Sequence, residues 1–265
     1  MKQTNRFLFF AVLTLLLASC SKDENTHQTQ EPQIKSVFIT ASGDSTNVVA
    51  KLNEFRLLAG DPLNSAPGAT AGRREVNWDA VPSAFTNTNN FPFDFFGSAD
   101  PVLGNGRKRG LILTNTGTSF RVDSTRFASI DASYATEFSA FSQNRVFAYM
   151  GNNVTEVTFK VPGTNDVASV HGFGVIFSDV DDANSTTVQY YNGDKSLGIF
   201  KAPVRSGSSS FSFLGVGFPE ETVTRVRITS GNGTLGAGIK DISNGGSKDL
   251  VVMDDFIYDE PKKQK

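Results

Sequence analysis

Gly172-Phe-Gly-Val-Ile-Phe-Ser-Asp-Val-Asp-Asp-Ala-Asn184 decides how the rest of this chain is read. Phe173, Val175 and Phe177 alternate with Gly172, Gly174 and Ile176, the period-2 pattern of a strand with one face on a core. The apolar pattern then stops, and Asp179, Asp181 and Asp182 arrive together, a run that reads either as a hydrated turn or as a cation site. Val188-Gln-Tyr-Tyr191 continues as a second strand. Asn192-Gly193 turns it back into Leu197-Gly-Ile-Phe200, because Asn-Gly accepts the positive φ angles of a two-residue hairpin turn.

The same short strands with turn signals recur in both directions. Ile34 to Thr40, Leu111–Thr114, Ser119–Val122, Arg145–Tyr149 and Val154–Val161 read as strands before it. Phe211–Phe218, Val223–Ile228 and Leu250–Tyr258 read as strands after it, with Val226 and Ile228 facing a core and Arg225 and Arg227 facing water. Val48, Leu52, Phe55 and Leu58 recur at helical spacing up to Gly60-Asp-Pro62, which predicts one short helix. Pro92 keeps Phe91-Pro-Phe-Asp-Phe-Phe96 out of a strand interior, so its rings are expected to pack a connection onto the fold. The fold class is therefore all-β, a jelly-roll-like β-sandwich with a short helix. The 265 residues suffice for one such core.

Composition narrows the chemistry. A net charge of −2 gives no electrostatic footprint for nucleic acid, and Arg107-Lys-Arg109 is a turn-sized basic triplet rather than a patch. The single cysteine excludes an intramolecular disulfide, and the two histidines exclude a multi-histidine metal site. His171 is the only histidine in the folded part, and it opens an apolar strand with no nucleophile elbow near it. Gly231-Asn-Gly233-Thr-Leu-Gly236 fits a dinucleotide fingerprint in letters, but Gly238 and Asn244-Gly-Gly246 forbid the helix that the fingerprint must open. No catalytic constellation emerges.

Two constellations could bind. Asp179, Asp181, Asp182 and Asn184 could meet Asp254 and Asp255 of the closing strand if the two strands are neighbours. Their oxygens would then suit a structural Ca2+. On an extended strand, however, Asp254 and Asp255 point to opposite faces. The second constellation is aromatic: Trp78, with Tyr190 and Tyr191, could form a sugar-stacking platform, although core packing is the commoner fate of a lone tryptophan.

The amino terminus carries the most specific pattern. Lys2 and Arg6 precede the apolar run Phe7–Ala18, which has the length of a signal-peptide core rather than of a membrane span. It ends in Leu17-Ala18-Ser19-Cys20, which resembles the bacterial lipobox. That resemblance implies cleavage before Cys20 and acylation of its thiol and new amino group. Acyl chains in that number anchor a protein stably to a membrane. Ser21-Lys22-Asp23-Glu24 then resembles the surface-export signal of Bacteroidetes lipoproteins, which implies an outer-membrane protein displayed at the cell surface. The expected organisation is a signal peptide over 1–19, a lipidated tether over 20–33, a β-sandwich over 34–260 and a polar tail over 261–265.

Gly72-Arg-Arg-Glu-Val-Asn-Trp-Asp79, Gly172–Asp181, Phe213–Phe218, Arg225–Gly231 and Val252–Tyr258 together resemble a family of secreted bacterial β-sandwich proteins, some of which end in a cell-surface sorting signal. The resemblance implies an extracellular jelly-roll-like domain and no established activity. The expected function is a lipid-anchored, non-catalytic surface protein that binds glycan or another envelope component. The alternatives are a glycan hydrolase using an Asp/Glu pair and a purely structural adhesion or matrix protein.

Overall fold

The computed structural model describes residues 33–114 and 119–264. The expected signal peptide and the lipobox-like run ending in Cys20 lie outside the described residues. Two antiparallel sheets make up the domain. The first runs in the order β1 (Val37–Gly43), β11 (Phe211–Gly217), β8 (Gly172–Ser178), β13 (Val252–Asp259), β5 (Val146–Tyr149) and β4 (Phe120–Asp123), with β2 (Arg73–Val76) also paired to β13. The second runs β10 (Lys195–Lys201), β9 (Thr187–Asn192), β12 (Arg225–Thr229), β6 (Val154–Lys160), β7 (Val167–Ser169) and β14 (Lys262–Lys263), with β3 (Leu111–Thr114) paired to β6. From β8 onward the chain crosses repeatedly between the sheets: β8 and β11 lie in the first, β9, β10 and β12 in the second, and β13 returns to the first. This is the all-β, jelly-roll-like sandwich expected of the sequence.

The sheets differ in how many faces they bury. In the second, β6 and β12 alternate buried with exposed or half-exposed residues, one face inward and one in water. In the first, every residue of β8, β11, β5 and β4 is buried. The period-2 pattern of Gly172–Ser178 therefore has apolar partners on both faces rather than one. Phe173, Val175 and Phe177 enter the core between the sheets, while Ile176 joins a second cluster beneath α1 (Ser45–Ala59).

That helix explains the glycines. Asp44 caps α1 by accepting the backbone N–H of Asn47 at 2.9 Å, which satisfies one orphan donor of the first turn. Val48, Leu52, Phe55 and Ala59 form its buried stripe, and the Phe55 ring sits on Gly174 and Gly215, which face each other across β8 and β11. A Cβ on Gly215 would lie 2.6 Å from Phe55 Cδ2, and one on Gly174 would lie 2.8 Å from Phe55 Cε1. Glycine is what lets the helix approach. Leu58, expected in the buried stripe, is instead half out in solvent, and Ala59 takes the inward position.

A third cluster covers the rest of the outer face. Phe127, Tyr134 and Phe138 from the β4–β5 connection and Leu235 from the β12–β13 connection pack over Val146, Ala148 and Val252. Phe91, Phe95 and Phe96 pack into the main core from an irregular segment, as Pro92 implied. The expected polar tail needs correction: Lys262 and Lys263 pair with Ser169 and Ala168 as β14. Just before them, Glu260 is buried and gripped by the equally buried Arg74, with Nε–Oε2 at 2.8 Å and Nη2–Oε1 at 2.7 Å.

Candidate functional site

The acidic run after β8 does gather charge, but with other partners than those the sequence suggested. Asp179 has φ 77°, which ends the strand and turns the chain aside. Asp179 and Asp181 then meet Glu137, from the short helix α2 (Tyr134–Glu137), and Asp241, which caps the 3-10 turn at Ile242–Asn244. One carboxylate oxygen from each lies within 4.8 Å of the others. Arg205, in the β10–β11 connection, enters the same cluster. Its Nε and Nη2 reach Asp181 at 2.6 and 3.0 Å, Nη2 lies 3.6 Å from Glu137, and Nη1 contacts Asp179 Oδ1.

Local bonds account for part of this negative charge. Asp241 accepts the N–H groups of Ser243 and Leu250, both at 2.7 Å. Asp249, adjacent and fully buried, accepts the N–H groups of Asp181 and Asp182 and the Ser185 hydroxyl, so it organises the turn. Asp179 is different. Its side chain has no solvent exposure and is held by its ion pair with the Arg205 guanidinium. Burial, and then the Asp241 carboxyl beside it, push Asp181 up to about 7 despite the Arg205 fork.

The other expected ligands go elsewhere. Asp182 accepts the N–H of Asn184 in a local turn, and the Asn184 side chain accepts from Lys201, so both leave the cluster. Asp254 and Asp255 lie on β13, which does pair with β8, yet they form a separate pair. Between Met253 and Phe256 the register slips, because three residues on β13 span the step that two span on β8. Such a bulge undoes the alternation of faces. Both carboxyls therefore meet the Ser142 hydroxyl, at 3.1 and 2.8 Å, and Asp254 also accepts the Phe141 N–H. Burial, first, and the neighbouring Asp255 raise the Asp254 pKa well above the usual carboxylate range.

The aromatic platform is also corrected. Trp78 is 1 % exposed, stacks on Phe147 at 4.2 Å between ring centroids, and donates its indole N–H to the Asp254 carbonyl. Tyr190 is fully buried and donates its hydroxyl to the Phe173 carbonyl. Tyr191 is half-buried, and the Arg225 guanidinium covers its ring at 3.7 Å. Trp78 and Tyr190 serve the core, and Tyr191 supports a surface arginine.

A cleft of about 450 Å³ opens where the end of α1 meets the ends of β8, β11 and β13. Phe55, Leu58 and Phe218 give it apolar walls, and His171, Asp259 and Lys262 lie at its polar rim. Asp259 accepts the N–H groups of His171 and Gly172 at 2.7 and 2.9 Å, while burial raises its pKa. The cleft follows from the glycine-mediated seat of α1. Sequence reading misses it because its walls come from separate segments scattered between Phe55 and Lys262. Comparison with protein-family models, curated proteins and solved structures finds no match to this chain.

Proposed function

We propose that this chain is a lipid-anchored bacterial surface protein whose β-sandwich binds an extracellular ligand, a glycan or another envelope component, without turning it over. The anchor rests on the lipobox ending in Cys20, and kinship with the secreted β-sandwich family rests on the motifs quoted above. The observation that carries the binding reading is the cleft beside α1, which joins apolar walls to a few polar groups in the manner of small-molecule sites. A saccharide matches that mixture, presenting a C–H face to Leu58 and hydroxyls to His171 and Lys262. The non-catalytic reading is supported by how the acid pairs are held: Asp254 and Asp255 are buried on Ser142, and Asp181 is gripped by Arg205.

A glycan array and polysaccharide pull-down with the purified chain test this reading. Binding that falls at least tenfold in both Leu58→Glu and His171→Ala is the expected result. No retained glycan, or binding indifferent to both substitutions, sinks it. Metabolic labelling with radioactive palmitate tests the anchor, with label expected in the wild type and absent from Cys20→Ala.

The adhesion reading has its own observation. Phe38 on β1 and Ile199 on β10 are 50 % and 61 % exposed at neighbouring sheet edges, and Phe38 packs on Phe200 at 5.5 Å. If self-association is the function, sedimentation shows oligomers that Phe38→Ser dissolves.

A further inference from the structure

The basic triplet Arg107-Lys-Arg109 divides in the folded chain. A cleft of about 200 Å³ opens beside β2, between residues 77–82 and residues 104–109, and both Arg107 and Arg109 line it. Lys108 instead reaches the Pro101 carbonyl at 3.3 Å. Arg107 is held in place from two sides: its Nε donates to the Phe95 carbonyl at 2.8 Å, and its guanidinium lies 3.7 Å from the centroid of the Phe95 ring. A planar, weakly hydrated guanidinium suits such stacking. Arg109 donates from Nη1 to the Asn64 carbonyl at 3.2 Å. Among the described residues neither guanidinium is ion-paired, and the terminal nitrogens of Arg107 donate no hydrogen bond. Glu75 also lines the cleft, but its two oxygens already accept from Arg56 and Arg73. Burial lowers the Arg107 pKa against a weaker pull from Asp94, so its charge is short of compensation.

We propose that this cleft binds the carboxylate of a small organic acid, held by Arg107 and Arg109. A guanidinium presents parallel N–H donors that match the two oxygens of a carboxylate, and such charge-assisted bonds are about twice as strong as neutral ones. Phe95 fixes the Arg107 side chain beforehand, so little side-chain freedom is lost when the acid arrives. Gly104 and Gly106 keep the mouth clear, since a Cβ at either position would be the first atom there. The cleft is smaller than the roughly 300–1,000 Å³ that takes a drug-sized ligand, so it suits an acid group on a short body. An acidic sugar unit and a free short-chain acid share that chemistry. The cleft has no lining residue in common with the one beside α1.

Isothermal titration of the purified full chain with sodium glucuronate and with sodium acetate tests the site. The expected result is saturable binding of glucuronate, with affinity lowered at least tenfold in Arg107→Ala and in Arg109→Gln. Lys108→Ala should leave it unchanged, and so should Leu58→Glu, which alters only the cleft beside α1. Acetate that displaces glucuronate at similar concentration assigns the site to carboxylates from any source; displacement only at far higher concentration assigns it to acidic sugars. Arg109→Gln decides the matter if Arg107→Ala, which loses its packing on Phe95, fails to fold. No saturable binding of either acid, displacement of glucuronate by glucose, or affinity indifferent to Arg109→Gln overturns the proposal.

Discussion

The two sheets of this sandwich solve the same problem differently. The second sheet meets the core with one face and water with the other, and its outward residues are the expected ones: Glu156 pairs with the half-buried Arg225 and the exposed Arg227. The first sheet is buried on both faces except along its edge strand β1. Its outer side is roofed by α1 at one end and by the β4–β5 and β12–β13 connections at the other. The cleft beside α1 and the carboxylate cluster under the long connections both lie at the margins of this roof. A face covered by loops and a helix can hold buried charge and concave surface; a solvated face offers only a flat one.

That contrast is open to direct challenge. The largest effect is expected from the Arg74–Glu260 clamp of the roofed sheet. Glu260→Ala leaves a buried guanidinium unpaired and is expected to cost about 3–5 kcal/mol in urea denaturation. Next, Gly215→Ala pushes a methyl into the Phe55 ring and is expected to cost about 1–3 kcal/mol. The same substitution made in a Phe55→Leu background should cost less, and equal costs in the two backgrounds would remove Phe55 as the reason for the glycine.

A subtler effect belongs to the buried pair Asp254 and Asp255. A carboxyl whose pKa is raised on folding binds more protons folded than unfolded, so its contribution to stability is lost as pH rises above the ordinary aspartate value of about 4. Asp254→Asn removes that dependence, and its stability relative to wild type should improve from pH 4 towards neutrality. A constant difference across that range would contradict the raised pKa. The smallest effect is expected on the wet sheet, where Arg227→Ala should change stability by about 0.5 kcal/mol or less, because its pair with Glu156 is solvent-screened.

The sequence made the strands legible because their signals are local: alternation, Asn-Gly turns and the spacing of Val48, Leu52 and Phe55 all fall within a few residues. It also revealed that Asp179 and Asp181 end an apolar strand. It could not reveal that Gly174 and Gly215 share one phenylalanine, since that requires the pairing of β8 with β11. Nor could it choose Glu137, Asp241 and Arg205 over Asp254 and Asp255. The first three come from a short helix and two connections with no common pattern, and the last two were turned away by one extra residue in β13. Trp78 could be read either way from sequence, and its stacking on Phe147 decides for the core.

Hydrogen exchange of the full chain, compared between wild type and Phe55→Ala, tests most directly the claim that α1 roofs the first sheet. Faster exchange in residues 45–59, 172–178 and 211–217 of the variant, with β6, β9 and β12 unchanged, is the result expected of a helix seated on one sheet alone. Uniform quickening across both sheets, or no change in those three segments, would contradict it.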